Sequence, residues 1–299
     1  MRARRSELST PGSSEKMMEK AAQSDADLVF LDLEDAVAPS EKVASRAKIV
    51  TALTTLDWGR KTRAIRMNSI DTHWAYEDVI HVVEESQGCL DLIIIPKVKC
   101  AADVRWVDIL LTQIETKLKR TKRVALECLI EEVEAMINVE EIARASDRLE
   151  AIIFGPGDYS ASQGVRVGSI GGETFNYPGD MWHYARNKIV IAARAAGIDA
   201  VDGPYANFRK PEGYREECKR SMTLGFVGKW AIHPSQIEIA NEVYSPTEAE
   251  VARARKGIAE YAKAESEGLG SVAVDGVMVD AASIRIMQNV VNKAELIGM

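Results

Sequence analysis

The 299-residue chain is 46 % hydrophobic and carries a net charge of -7, with an isoelectric point near 5.4. That content can fill one large core, and the acidic balance argues against a nucleic-acid partner, which needs a clustered positive surface. No stretch approaches the ~18–20 apolar residues that span a bilayer, and the basic start, MRARRSELSTPGSS, has no apolar run behind it, so the expectation is a cytoplasmic protein without secretory signal or membrane segment.

In chain order, short apolar runs alternate with amphipathic stretches of helical length. Strands are predicted at Ser6–Ser9, Leu28–Leu33, Arg63–Asn68, Leu90–Val98, Val124–Ile130, Ala151–Phe154, Ala200–Gly203 and Gly225–Ile232. Helical patterns fall between them, among them Ser40–Leu56, Ala101–Lys119, Val133–Ala145 and Met181–Ala196. Runs such as LIIIP and AIIFG are apolar at consecutive positions, as a parallel strand covered by helices on both sides requires. Eight such units predict a (β/α)8 TIM barrel over residues 1–245, with an open doubly wound sheet as the alternative. Residues 160–180 form a Gly-rich loop, long for a strand-to-helix connection. Residues 246–299 read as a helix, a Gly268–Gly270 spacer, a strand-like piece (VAVDG) and a helix from about Ala281. That C-terminal helical lid extension is too short for its own core and is expected to pack on the barrel or on a neighbouring subunit.

In a barrel of this kind the strand C-termini form the active face. Several predicted strands end in charged or polar residues: Glu34 and Asp35, Arg66 and Asn68, Lys97, Glu127, Asp158 and Asp202. Buried charge there is costly unless it is paired or binds a ligand. Glu127 and Asp158, from strands five and six, form a carboxylate pair without His or Cys, which suits magnesium. The alternative for Glu127 is a salt bridge within the strand layer, and for Asp158 a turn or helix-cap role; with Arg66 on the same rim, the metal reading is favoured. Arg66 suits a substrate carboxylate or a developing enolate oxygen. Glu34 and Asp35 are consecutive, so at most one faces the barrel axis.

Other chemistry finds little support. The four cysteines (Cys89, Cys100, Cys128, Cys218) lack a CxxC pair and read as reduced thiols. The histidines show no metal-ligand spacing, His233 before Pro234 suits a turn, and there is no G-x-S-x-G elbow. Gly155-x-Gly157 is followed by Ser160 where a dinucleotide fingerprint needs its third glycine. Pro11-Gly12-Ser13-Ser14 is either a phosphate-binding turn or an ordinary capped helix start.

Taken together, RSELSTPGSS, DLVFLDLEDAVAPSEK, AIRMN, DLIIIPKV, ALECLIE, IIFGPGDYS, VDGPYANF, GFVGKWAIHPSQI and DGVMVDAAS resemble, in this order, the citrate lyase β-subunit-like (HpcH/HpaI aldolase) family, and most closely its malyl-CoA and β-methylmalyl-CoA lyase members. The resemblance runs from about Arg5 to Ala294. It implies a (β/α)8 barrel in homotrimers or homohexamers, with a C-terminal lid over a neighbour's site. It further implies Mg2+ (or Mn2+) on Glu127 and Asp158, Arg66 on the enolate or carbonyl oxygen, and Glu34 and Asp35 in support. Asp280 would be the acid/base from the lid. Arg5, Ser9, Pro11, Gly12, Lys97, Ile232, His233 and Pro234 would lie near coenzyme A. The implied reaction is reversible cleavage of a β-hydroxyacyl-CoA to a 2-oxo acid, glyoxylate, and acetyl-CoA or propionyl-CoA. The alternatives are a malyl-CoA thioesterase, a citramalyl-CoA lyase and a citrate lyase β-subunit.

Overall fold

The computed structural model describes residues 2–166 and 179–299, so most of the Gly-rich 160–180 segment lies outside the described residues. Eight parallel strands close into a barrel in sequential order. They are β1 (Ser6–Pro11), β2 (Leu28–Asp32), β3 (Thr62–Arg66), β4 (Leu92–Ile95), β5 (Ala125–Ile130), β6 (Leu149–Phe154), β7 (Asp199–Asp202) and β8 (Gly228–Ala231). Between them run α1 (Glu15–Ala22), α2 (Lys42–Thr55), α3 (Ala75–Glu85), α4 (Ala101–Leu118), the short α5 (Val133–Ile137) and α6 (Val139–Ile142), α7 (Pro156–Ser162), α8 (His183–Ala196) and α9 (Pro211–Leu224). The (β/α)8 expectation holds, and the single helix expected over Val133–Ala145 is broken at Asn138, which caps both short pieces.

Alternation along the strands sorts residues between the barrel interior and the helix layer. Leu28, Phe30, Ala64, Leu92, Ile94, Ala125, Leu129, Ala151, Ile153, Val201 and Trp230 form one buried cluster, the packed interior of a barrel of this size. Each Leu, Ile, Val or Phe side chain among them contributes about 1.5–3 kcal/mol when fully buried. Asp32, Arg66 and Glu127 share its strand parity and therefore also point inward.

The boundary between compact units falls at Asn241/Glu242, four residues before the expected one: Arg4–Asn241 form one unit, and Glu242–Met299 belong to another. The helix α10 (Ile237–Tyr244) precedes α11 (Glu248–Ser266), a hairpin of β9 (Ser271–Val274) and β10 (Val277–Asp280), and α12 (Ala281–Leu296). Thr247 and Glu250 form a capping box that starts α11. The helices α11 and α12 pack so closely that a side chain at Gly257 would meet Met287 Sδ at 2.5 Å. Val277, Met278 and Ile286 of this unit are exposed.

Candidate active site at the C-terminal mouth of the barrel

The guanidinium of Arg66, last residue of β3, is clamped by Asp32, last residue of β2. Nε donates to Oδ1 at 2.7 Å and Nη2 to Oδ2 at 2.5 Å, the bidentate geometry that fixes an arginine in plane and orientation. Asp32 also accepts from the backbone N–H groups of Glu34 and Ala36, both at 2.9 Å, so one carboxylate shapes the loop after β2 and holds Arg66. Nη1 of Arg66 lies 3.0 Å from Glu34 Oε2 and 3.8 Å from Asp35 Oδ2. Trp230 of β8 covers the guanidinium, 5.5 Å from ring centre to Cζ. The hydrogen bonds to Asp32 use two of arginine's five N–H donors, so donors remain for a ligand oxygen.

Lys97, two residues past β4, pairs through Nζ with Glu34 and with Asp35 at 3.3 Å. It is a non-glycine residue with φ at +51°, an uncommon left-handed geometry. That geometry accompanies a hydrogen bond from Lys97 N to Glu131 Oε1 at 2.8 Å. Glu131 follows the last residue of β5 and is 2 % exposed. Burial, then the neighbouring charges of Glu34 and Asp158, push its carboxyl up to about 8. It has no ion pair among the described residues. Gly155 gives it room: a Cβ there would stand 2.7 Å from Glu131 Oε2. Asp158 is half-buried in the first turn of α7, after β6. Burial raises the carboxyl of Glu34, although Arg66 and Lys97 oppose it; at the more exposed Asp35, the two cations outweigh burial and hold the carboxyl below its usual range. A buried carboxylate without its own cation, beside a second one, is a hard-oxygen donor pair suited to a divalent ion.

The HpcH/HpaI aldolase/citrate lyase family profile matches residues 5–234. The L-malyl-CoA/β-methylmalyl-CoA lyase of Rhodobacter capsulatus is 46 % identical over 99 % of this chain and 96 % of its own length. A (3S)-malyl-CoA thioesterase of Cereibacter sphaeroides is 38 % identical over 98 % of this chain and 95 % of its own. Among solved structures, the CitE protein of Mycobacterium tuberculosis in complex with magnesium, acetoacetate and coenzyme A is 27 % identical, covers 97 % of both chains and superposes with a TM-score of 0.76. The chain belongs to the HpcH/HpaI aldolase/citrate lyase family.

Within this family's barrel, two expected site residues fall at the other end. Glu127 is the third residue of β5 and is fully buried, with Oε1 accepting from Arg4 Nε at 2.8 Å. Arg4 precedes β1 and also reaches Glu150 at the start of β6 and, at 3.7 Å, Asp199 at the start of β7. Glu127 therefore belongs to an ion cluster at the strand N-termini, the floor of the barrel, and is corrected from metal ligand to structural partner. Burial raises its carboxyl despite Arg4. Glu131, four residues on, occupies the place at the mouth assigned to it. Arg5 is the second correction: its guanidinium pairs with Asp27 at 2.7 and 2.8 Å where β2 begins, on the floor side, away from any ligand at the mouth. Lys97 is at the mouth, with its ammonium committed to Glu34 and Asp35.

Pro11 ends β1, with Ser9 two residues earlier, and Gly12 N donates to Asp32 O at 2.9 Å; a Cβ at Gly12 would stand 2.6 Å from that oxygen. Ser14 caps α1, accepting from Met17 N at 3.4 Å, an ordinary helix start. Ile232, His233 and Pro234 follow β8 and are exposed; His233 Nδ1 accepts from Ser235 N at 3.2 Å, the turn role. Asp202 faces the helix layer, bonded to Arg186 and Lys229 at 3.1 and 2.7 Å, and the cations, outweighing burial, hold it down at about 2. Asp280, in the C-terminal unit, caps α12 by accepting from Ser283 N and Oγ at 2.9 and 2.8 Å.

Sequence reasoning passes over Asp32 and Glu131. The signal for Asp32 was parity: it lies two residues before Glu34, on the same strand face. For Glu131 it was position, since the predicted strand ended at Ile130 and Glu127 lay inside it.

Proposed function

We propose that the protein is a magnesium-dependent carbon–carbon lyase that cleaves a β-hydroxyacyl-CoA such as L-malyl-CoA or β-methylmalyl-CoA to glyoxylate and acetyl-CoA or propionyl-CoA, and runs in reverse. The observation that carries the reading is the mouth itself: a clamped guanidinium with free donors at the same rim as a buried carboxylate that has no ion pair among the described residues. Full-length similarity to a lyase of that name supports the choice of substrate. Glu131 and Asp158 would hold the ion, which when bound supplies a Lewis acid for the oxygens of the 2-oxo acid; manganese satisfies the same donor set.

In the cleavage direction a base takes the hydroxyl proton, the C–C bond breaks to release glyoxylate, and its electron pair stays on the carbon next to the thioester, giving an enolate whose charge lies on the thioester oxygen. Arg66, held in plane by Asp32, presents N–H donors to that oxygen without reorganising, which is where fixed charge lowers a barrier most. Glu34, itself paired with Lys97, keeps the guanidinium from turning. Asp280, on the lid of a neighbouring chain, would return the proton to the enolate carbon. Its acceptance of two hydrogen bonds favours the ionised form, the state needed to take a proton in condensation. A homotrimer or homohexamer supplies such a lid, and the exposed Val277, Met278 and Ile286 offer apolar surface for seating it.

Incubation with malyl-CoA, β-methylmalyl-CoA and citramalyl-CoA plus Mg2+, with products identified by mass, tests the reading. Glyoxylate with acetyl-CoA or propionyl-CoA is expected. Free malate with CoA would instead make the protein a thioesterase.

A further inference from the structure

Lys42 breaks a local rule. It opens α2, where the helix dipole disfavours a cation, and it is 7 % exposed. A buried ammonium is normally paired with a carboxylate, yet no ion pair of Lys42 occurs among the described residues. Its Nζ donates instead to three neutral oxygens: Leu33 O at 2.8 Å, Glu34 O at 2.7 Å and Asn68 Oδ1 at 2.6 Å. Those are all the donors an ammonium has. The Trp74 ring covers it from 5.4 Å.

The acceptors belong to two different loops. Leu33 and Glu34 begin the loop after β2, and Asn68 lies two residues past Arg66 in the loop after β3. Asn68 is itself fixed, since its backbone and side-chain N–H groups donate to Asp78 Oδ2 at 3.0 and 2.6 Å, and Asp78 Oδ1 accepts from Arg46 Nε at 2.7 Å. The chain Arg46–Asp78–Asn68–Lys42 thus ends on the two carbonyls that flank the Glu34 backbone, and the Glu34 carboxylate in turn meets both Arg66 and Lys97. The ammonium places one donor on each of these three oxygens, whereas an amide has only two.

We infer that Lys42 is a positioning residue, lashing the loop after β2 to the loop after β3 so that Glu34 holds Arg66 and Lys97 in their working orientation. The catalytic half of this inference rests on the lyase reading above; the lashing half does not.

Lys42→Met keeps the length and apolar body of the side chain and removes the donors. It is expected to lower kcat about 100-fold, the cost of displacing a catalytic group by roughly 1 Å, with KM for the acyl-CoA within about threefold. Lys42→Arg, which restores charge and donors, should recover at least about tenfold of that loss. Hydrogen exchange, read independently of turnover, should speed up in residues 33–37 and 67–72 of Lys42→Met and stay unchanged in β5 and β6. Unchanged protection in those loops overturns the inference even if the wild-type protein turns over none of the thioesters. Loosened loops with full kcat overturn it too, leaving a structural lysine. An inactive wild type with loosened loops in the variant removes the lyase reading and supports the lashing.

Discussion

At each end of the barrel an arginine meets carboxylates: Arg66 with the buried Asp32 and Glu34 at the mouth, Arg4 with the buried Glu127 and the half-buried Glu150 at the floor. The floor is sealed, with Arg4, Glu7 and Glu127 side chains 1 % exposed or less. The mouth is open on one side, through Asp35 at 55 % and Lys97 at 26 %. The floor cation is hemmed in by acids from four strands, whereas the mouth keeps Glu131 without an ion pair among the described residues and Arg66 with donors to spare. The same residue types make a structural rivet at one end and a ligand site at the other. What separates them is distance from the strand end, Glu131 standing four positions after Glu127.

Substitution at the two ends should split activity from stability. The largest effect is expected for Glu131→Gln, which should cost up to about 1,000-fold in Mg2+-dependent turnover, as removal of a charge-stabilising group from an active site does, with the unfolding midpoint near that of wild type. Arg66→Lys keeps the charge and loses the bidentate clamp, and should lower kcat about 100-fold; steady-state kinetics checks both. Arg4→Met at the floor should do the reverse. Leaving Glu7, Glu127 and Glu150 without their shared cation should destabilise by about 3–5 kcal/mol in denaturant titration, while turnover per folded molecule holds. Gly155→Ala sharpens the mouth side alone: a methyl 2.7 Å from Glu131 Oε2 should weaken Mg2+ binding about tenfold, a typical cost of disturbing the support of a metal ligand.

The smallest effect is a pH slope at the floor. Burial, then the charge of Glu127, raises Glu7 well above its ordinary 4.5. The folded protein therefore keeps a proton that the unfolded chain releases, and this contribution to stability declines as the pH rises past about 4.5, by at most about 1.4 kcal/mol per unit. Glu7→Gln has no such proton, so its stability relative to wild type should climb between pH 4.5 and 7 in urea titrations. A flat difference would place the ionised pair comfortably in the floor and weaken the contrast with the mouth.

The barrel was legible because its strands are apolar on both faces, as LIIIP and AIIFG show, a pattern that a parallel sheet under helices demands. Arg66 and Asp158 were legible because each follows such a run and has no apolar reason to be there. Glu127 misled because a charge inside an apolar strand looks like a charge at its end unless the end is fixed to the residue. Arg4, its partner, is 123 residues away, and a pairing of that range leaves no local trace. The role of Lys42 was hidden for the same reason: its acceptors are two backbone carbonyls and an asparagine, which carry no charge pattern to complement.

Calorimetric titration of Mg2+ into the wild-type protein and the Glu131→Gln and Glu127→Gln variants tests the assignment of the two ends most directly. One ion per chain should bind the wild type and Glu127→Gln alike, and binding should vanish in Glu131→Gln. Loss of binding in Glu127→Gln with retention in Glu131→Gln, both variants being folded, would contradict the account.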